Sequence, residues 1–181
     1  MNRADAKLWA QKWRWYQRAL LPWNRVALHR EFAARRAFFK GPLNGDVLEL
    51  LRDGRLEIGE GTLLEPNVWI TGGESGRIRI GEGVFLNQGV MVAATDLVEI
   101  GAHCMAANGC MITDGNHNFD DPTKPVTWQG FSSKGPTRLG ESVWLGANSV
   151  VTTDLPAGTI AAGAPAKVLR EITFREPADT T

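Results

Sequence analysis

One short phrase, written four times, dictates what this chain can fold into. It reads GRLEIGEG at residues 54–61, GRIRIGEG at 76–83, DLVEIGAH at 96–103 and PTRLGESV at 136–143. Inside it runs a beat of six. An aliphatic or small residue recurs at Ile58, Leu64 and Ile70, at Ile80, Leu86 and Val92, at Ile100, Ala106 and Ile112, and at Leu139, Leu145 and Val151. A unit this short cannot bury its apolar residue alone, so each must stack on the next. Three beats make one circuit of three flat faces and three turns, so the chain winds as a triangular prism: an all-β solenoid, a parallel β-helix. Four residues after eight of these inward positions a second small slot recurs, at Thr62, Val68, Val84, Val90, Cys104, Cys110, Val143 and Ser149, where a corner leaves little room.

The spacings also locate departures. Ile58 to Ile80 is 22 residues and Ile80 to Ile100 is 20, against about 18 for three hexads, so each circuit carries a small bulge. Ile100 to Leu139 is 39, and the excess must leave the prism as a long excursion over residues 113–137, punctuated by Gly115, Pro122, Pro125, Gly130, Gly135 and Pro136. A loop of that length in a compact domain is commonly functional. The chain thus divides into a helical segment at 1–42, the β-helix at 43–172 and a short tail at 173–181. In the first segment Trp9, Trp13, Tyr16 and Leu20 fall on a helical stripe that Pro22 ends. A second helix is expected after Asn24 as N-cap, with Leu28, Phe32 and Phe39 on one side. The run before Leu56 reads as a first, degenerate coil from about Val47, or as a short helix at residues 47–52.

Net charge is zero but unevenly spread: residues 1–41 hold ten Lys or Arg against Asp5 and Glu31, and the remainder holds ten against eighteen acids. A basic, Trp-rich segment wants an acidic partner. It either caps the open end of the prism within an assembly or makes a peripheral contact with an anionic membrane through residues 1–41. Cys104 and Cys110 occupy corner slots on different faces, so no disulfide is expected, which fits a reduced, cytoplasmic protein, at most peripheral at the inner face of the membrane. No apolar run reaches the ~18 residues of a membrane span, no signal peptide opens the chain, and nothing in the pattern points to nucleic acid.

Of the three histidines, His29 and His103 read as surface residues. His117 stands at the root of the excursion, where an imidazole on a rigid scaffold can serve as a general base. Asp114, Asp120 and Asp121 are candidate orienters, and Trp128 could lie on the apolar face of a sugar ring. ITDGNHNFDDPTKP at 112–125, VWLGANSVV at 143–151 and TTDLPAGTIAAGAPAKVLREI at 152–172, hung on hexapeptide coils, resemble the hexapeptide-repeat O-acetyltransferases, most closely the polysaccharide and sugar enzymes. The resemblance implies a left-handed β-helix, acetyl-coenzyme A as co-substrate, no metal, and a homotrimer acting on a sugar or cell-surface polysaccharide intermediate.

Carried over residue by residue, the resemblance makes His117 the catalytic base and Asn87 an acceptor-site residue near the His of another subunit. It makes Trp144, Ala147, Thr152 and Thr153 neighbours of the coenzyme groove, and Lys167 and Arg170 partners of its phosphates. An exposed face of a C-terminal helix is the plainer reading of Lys167 and Arg170. The sequence departs from the pattern where VWLG and ANSVV are fused, as though one coil were missing. It also has Thr153 in place of a basic residue and Ala94 in place of an acidic one. The alternatives are an N-acetyltransferase acting on an amino sugar or nucleotide sugar, a γ-carbonic-anhydrase-like protein with three His around a metal, and a non-catalytic solenoid.

Overall fold

In the computed structural model residues 22–173 are described; the helical stripe expected before Pro22 and most of the tail lie outside them. The core is a prism of three parallel walls. Wall 1 is built from Phe38–Phe39, Leu63–Leu64, Phe85–Leu86, Met105–Ala106 and Trp144–Leu145, continued by Thr159–Gly163 and closed by the antiparallel Ala166–Glu171. Wall 2 stacks Asn44–Gly45, Trp69–Thr71, Met91–Ala93, Met111–Thr113 and Val150–Val151, and wall 3 stacks Leu56–Ile58, Arg77–Ile80, Leu97–Ile100 and Thr137–Leu139.

The register is the one the beat of six requires. Ile58 pairs with Ile80, Ile80 with Ile100 and Ile100 with Leu139; Leu64, Leu86, Ala106 and Leu145 form a second column, and Ile70, Val92, Ile112 and Val151 a third. All twelve are buried, and so are the eight corner slots. The glycine after each wall 3 aliphatic has a steric cause. A Cβ on Gly81 would lie 2.6 Å from the backbone N of Ala102, and one on Gly101 would lie 2.6 Å from the carbonyl carbon of Gly140.

Extra residues accumulate at one place. The edge from wall 2 to wall 3 takes up the bulges at 72–76 and 94–96 and the excursion, whereas the other two edges keep tight turns with Asn67, His103, Ser142 and Asn148 at positive φ. Longer turns leave backbone N–H groups without a neighbour, and aspartates supply acceptors there. Asp114 accepts from the N–H of Thr95, Asp96 and Leu97, each at 2.7 Å, and Asp154 accepts from the N–H of Arg138 at 2.7 Å.

Several expectations are corrected. The first described helix, α1, is Pro22–Ala34, with Pro22 in its first turn, where a missing N–H is harmless, and Asn24 lies inside it. Phe39 belongs to a strand, because Phe38 and Phe39 find partners in Leu63 and Leu64. Coil pairing therefore begins at Phe38, ahead of the boundary expected at residue 43. A six-residue helix, α2 at Val47–Arg52, replaces the degenerate coil. With Phe32 of α1, its Val47, Leu50 and Leu51 bury against the end of the core. Both cysteines are free and buried, each thiol donating to a carbonyl of the next coil, of Gly140 and Gly146, and burial pushes both thiols up. No described helix is long and apolar enough to cross a membrane.

The outer surfaces of the walls differ. Wall 1 carries the outward column Phe38, Leu63, Phe85, Met105, Trp144 and Ile160, and wall 2 carries Trp69, Met91, Met111 and Val150. Wall 3 instead carries Glu57, Arg79, Glu99 and Arg138, linked at 3.4, 2.9 and 2.6 Å. Alternating charges one coil apart attract rather than repel. The Arg79 guanidinium, hydrogen-bonded to Glu99, holds that carboxyl below the usual carboxylate range, and Arg138 adds to the effect.

Two predictions follow from this packing. Gly101→Ala forces adjacent coils apart and costs about 1–3 kcal/mol in urea unfolding. Glu99→Gln lowers the Tm by about 1 to 3 °C at neutral pH. Because the folded-state pKa of Glu99 is depressed, its contribution is complete above the ordinary carboxylate range and disappears as pH falls below it. The two melting curves therefore converge in acid.

Candidate active site

The excursion is an ordered hairpin. It leaves wall 2 after Thr113 and returns at Thr137, so residues 114–136 lie outside the prism. Gly115–His117 pairs antiparallel with Phe131–Ser133, and a 3-10 turn at Val126–Trp128 forms the far side. Gln129 ties the loop together: its side-chain amide donates to the carbonyls of Asp121 and Lys124, and its Oε1 accepts from the N–H of Asp121. Asn118 adds bonds to the Gln129 carbonyl and to Ser132. Asp114, only 7% exposed, fastens the root through its three backbone N–H partners.

His117 is held on the first hairpin strand with its side chain exposed, and its ring centroid lies 3.8 Å from that of Phe131. Two of the three expected orienters, Asp114 and Asp121, are engaged elsewhere. Asp114 serves the coil below, and Asp121 accepts from the N–H and hydroxyl of Thr123 and pairs with Lys124 at 3.0 Å. Hydrogen bonding to Thr123 holds the Asp121 carboxyl below its usual range, with Lys124 adding to it. Phe119, Val126, Trp128 and Phe131, all more than half exposed, make the hairpin the most apolar exposed loop among the described residues.

The other expected residues divide between two edges and a wall. Asn87 follows the strand Phe85–Leu86 at the edge between walls 1 and 2, and Ala147 occupies the same edge nearer the C-terminal end. Thr152 and Thr153 are exposed on the edge between walls 2 and 3, one circuit beyond the hairpin's root. Trp144 faces outward from wall 1 and is 39% exposed.

Lys167 and Arg170 lie on the closing strand of wall 1, not on a helix. Three residues apart, they would point to opposite faces of a regular strand. A bulge between the pairs Ile160 with Arg170 and Ala161 with Val168 absorbs one residue, so that Lys167 pairs with Ala162 and Arg170 with Ile160. Both cations then share the outward face with Trp144, itself the partner of Ile160. Spacing alone hid this juxtaposition.

A shallow groove of about 760 Å³ runs along wall 3 and reaches the last coil at Asp154 and Pro156, but none of the expected site residues lines it. No three His, Cys, Asp or Glu side chains converge among the described residues. His103 projects from a corner at positive φ near Glu82.

No protein-family model matches the chain. Several of its curated relatives carry acetyltransferase names. A provisionally named acetyltransferase of Mycobacterium tuberculosis is 35% identical over 91 residues, covering 40% of this chain and 30% of the relative. One of Staphylococcus aureus is 30% identical over 118 residues, covering 46% and 59%. A protein of Escherichia coli, provisionally named a lipopolysaccharide biosynthesis O-acetyl transferase, is 29% identical over 107 residues, covering 45% and 54%. The chain thus spans less than two thirds of the length of these relatives.

Among solved structures, a maltose O-acetyltransferase from Clostridium difficile superposes with a TM-score of 0.55 at 21% identity, over 76% of this chain and 67% of that one. A galactoside acetyltransferase in complex with coenzyme A gives 0.54 at 18%, over 79% and 68%. The likeness is one of fold: a left-handed parallel β-helix.

Asp114→Ala leaves three backbone N–H groups at the hairpin's root without their acceptor, and is expected to cost about 3 kcal/mol in chemical unfolding. Hydrogen exchange should rise first at residues 95–97 and in the hairpin.

Proposed function

We propose that the chain is a coenzyme A-dependent acetyltransferase that moves an acetyl group from acetyl-coenzyme A to a hydroxyl of a sugar or glycan intermediate. The observation that carries this reading is an exposed imidazole, His117, on a hairpin fastened by a buried carboxylate to a rigid prism. A sugar hydroxyl is a weak nucleophile at neutral pH, while a thioester is already activated, so the one indispensable group is a positioned base. The free nitrogen of neutral His117 takes the hydroxyl proton as the acceptor oxygen attacks the thioester carbonyl. The tetrahedral oxyanion collapses, the carbon–sulfur bond breaks, and the departing thiolate takes the proton back from the imidazolium. A backbone N–H of a coil turn is suited to stabilise the oxyanion.

Lys167 and Arg170, on one face beside Trp144, suit the phosphates of the co-substrate. Ala147, Thr152 and Thr153 are open enough to line its path. Asn87 and Trp128 are assigned to the acceptor. His117 and Asn87 stand on opposite borders of wall 2, so a site containing both draws them from two protomers, in keeping with a homotrimer. The apolar outer columns of walls 1 and 2 suit burial between protomers, whereas the charged column of wall 3 suits water. Trp23 and Val26, exposed on α1 with Arg25 and Arg30, are where a peripheral membrane contact would be made.

Thiol release from acetyl-coenzyme A with a panel of sugar and amino-sugar acceptors tests this reading. His117→Ala should lose about a hundredfold or more in kcat, while Lys167→Glu with Arg170→Glu should raise the KM for acetyl-coenzyme A about tenfold with a smaller effect on kcat. Retention of full turnover by His117→Ala would remove the base from the mechanism.

A further inference from the structure

A general base must be held in direction as well as in place, because small misplacements of a reacting group cost large factors in rate. In many sites a carboxylate or carbonyl bonded to the second ring nitrogen does this. Here neither ring nitrogen of His117 makes a hydrogen bond within the protomer among the described residues. Of the candidate orienters, Asp114 and Asp121 are engaged by backbone, Thr123 and Lys124, and Asp120 makes no hydrogen bond to the imidazole among the described residues.

What the imidazole does touch is a ring. His117 and Phe131 are directly opposed in the antiparallel pair, their centroids are 3.8 Å apart, and their planes meet at 36°. Directly opposed residues project from the same side of a hairpin, so this contact is built into the register. Phe131 is itself 63% exposed, too open to be a core residue. The strand carrying it is fixed on both sides, by Asn118 bonding Ser132 and by the Ser133 hydroxyl, which accepts from the N–H of Gly135 and donates to the Gly135 carbonyl.

We propose that Phe131 is the positioning residue for the catalytic imidazole: its ring blocks one side of His117 and confines the base to rotamers that face the acceptor. This rests on His117 being the base. An aromatic wall suits the task because it restricts the imidazole without competing for either nitrogen. One nitrogen remains free to accept the proton and the other to be solvated when the ring is charged. An exposed aromatic also contributes little to the hairpin's own stability, so its loss should be felt in turnover and not in folding.

The test compares Phe131→Leu, Phe131→Trp and His117→Ala by steady-state kinetics, thermal melting and the NMR resonance of the His117 C2 proton. Phe131→Leu is expected to lower kcat about tenfold or more, with the KM for acetyl-coenzyme A within about twofold and an unchanged Tm. Phe131→Trp, which restores a ring wall, should recover most of kcat. The C2 proton should carry a ring-current displacement in the wild type that Phe131→Leu abolishes, with the His103 resonance unmoved.

If His117→Ala is inactive while Phe131→Leu turns over like the wild type, the positioning role alone is overturned. If His117→Ala stays active, the base assignment fails and the positioning role of Phe131 with it. A fall in Tm parallel to kcat, without rescue by Trp, reduces Phe131 to a structural residue. A wild-type C2 proton resonating like that of a free imidazole overturns the stacking itself.

Discussion

The structure depends on how closely one coil can lie on the next. Parallel strands sit about 4.8 Å apart, and at that distance the turn after wall 3 has no room for a side chain: a Cβ on Gly81 or Gly101 would meet the backbone of the following coil at 2.6 Å. Only because those positions are glycine can Ile58, Ile80, Ile100 and Leu139 stack in register. The stacked column and the close approach are therefore one constraint with two halves, apolar residue and glycine. The repeated phrase IG is its written form.

That constraint explains why the prism was legible and its ends were not. The twelve inward positions and eight corner slots all obey a period that any coil must share, so counting sixes located every one of them. The N-terminal coil does not obey it. Phe38 and Phe39 join wall 1 because Leu63 and Leu64 offer an unpaired edge, a tertiary reason that local helical spacing from Leu28 to Phe39 cannot reveal. Likewise residues 47–52 carry a hydrophobic pattern that suits a short helix as well as a coil, and burial of Val47, Leu50 and Leu51 at the end of the core decides for the helix.

The candidate site was legible in a different way. His117 could be singled out because it follows the last inward residue before a break in the period, which marks where chain leaves the scaffold. The positions of Lys167 and Arg170 relative to each other could not, since a single bulged residue reverses which face a side chain takes. Asp114 was visible only as one of several loop acids. Its three backbone donors come from residues 95–97, a full circuit earlier in the chain, and no local reading joins them.

The edge between walls 2 and 3 behaves as a splice point. The inward columns register one coil against another and are indifferent to how many residues lie between Thr71 and Arg77, between Ala93 and Leu97, or between Thr113 and Thr137. A three-residue bulge and a 23-residue hairpin are accommodated on neighbouring coils with the same pairing on either side. The scaffold can therefore exchange the segment that carries its chemistry without reworking its core, much as a rack accepts different cartridges at one slot.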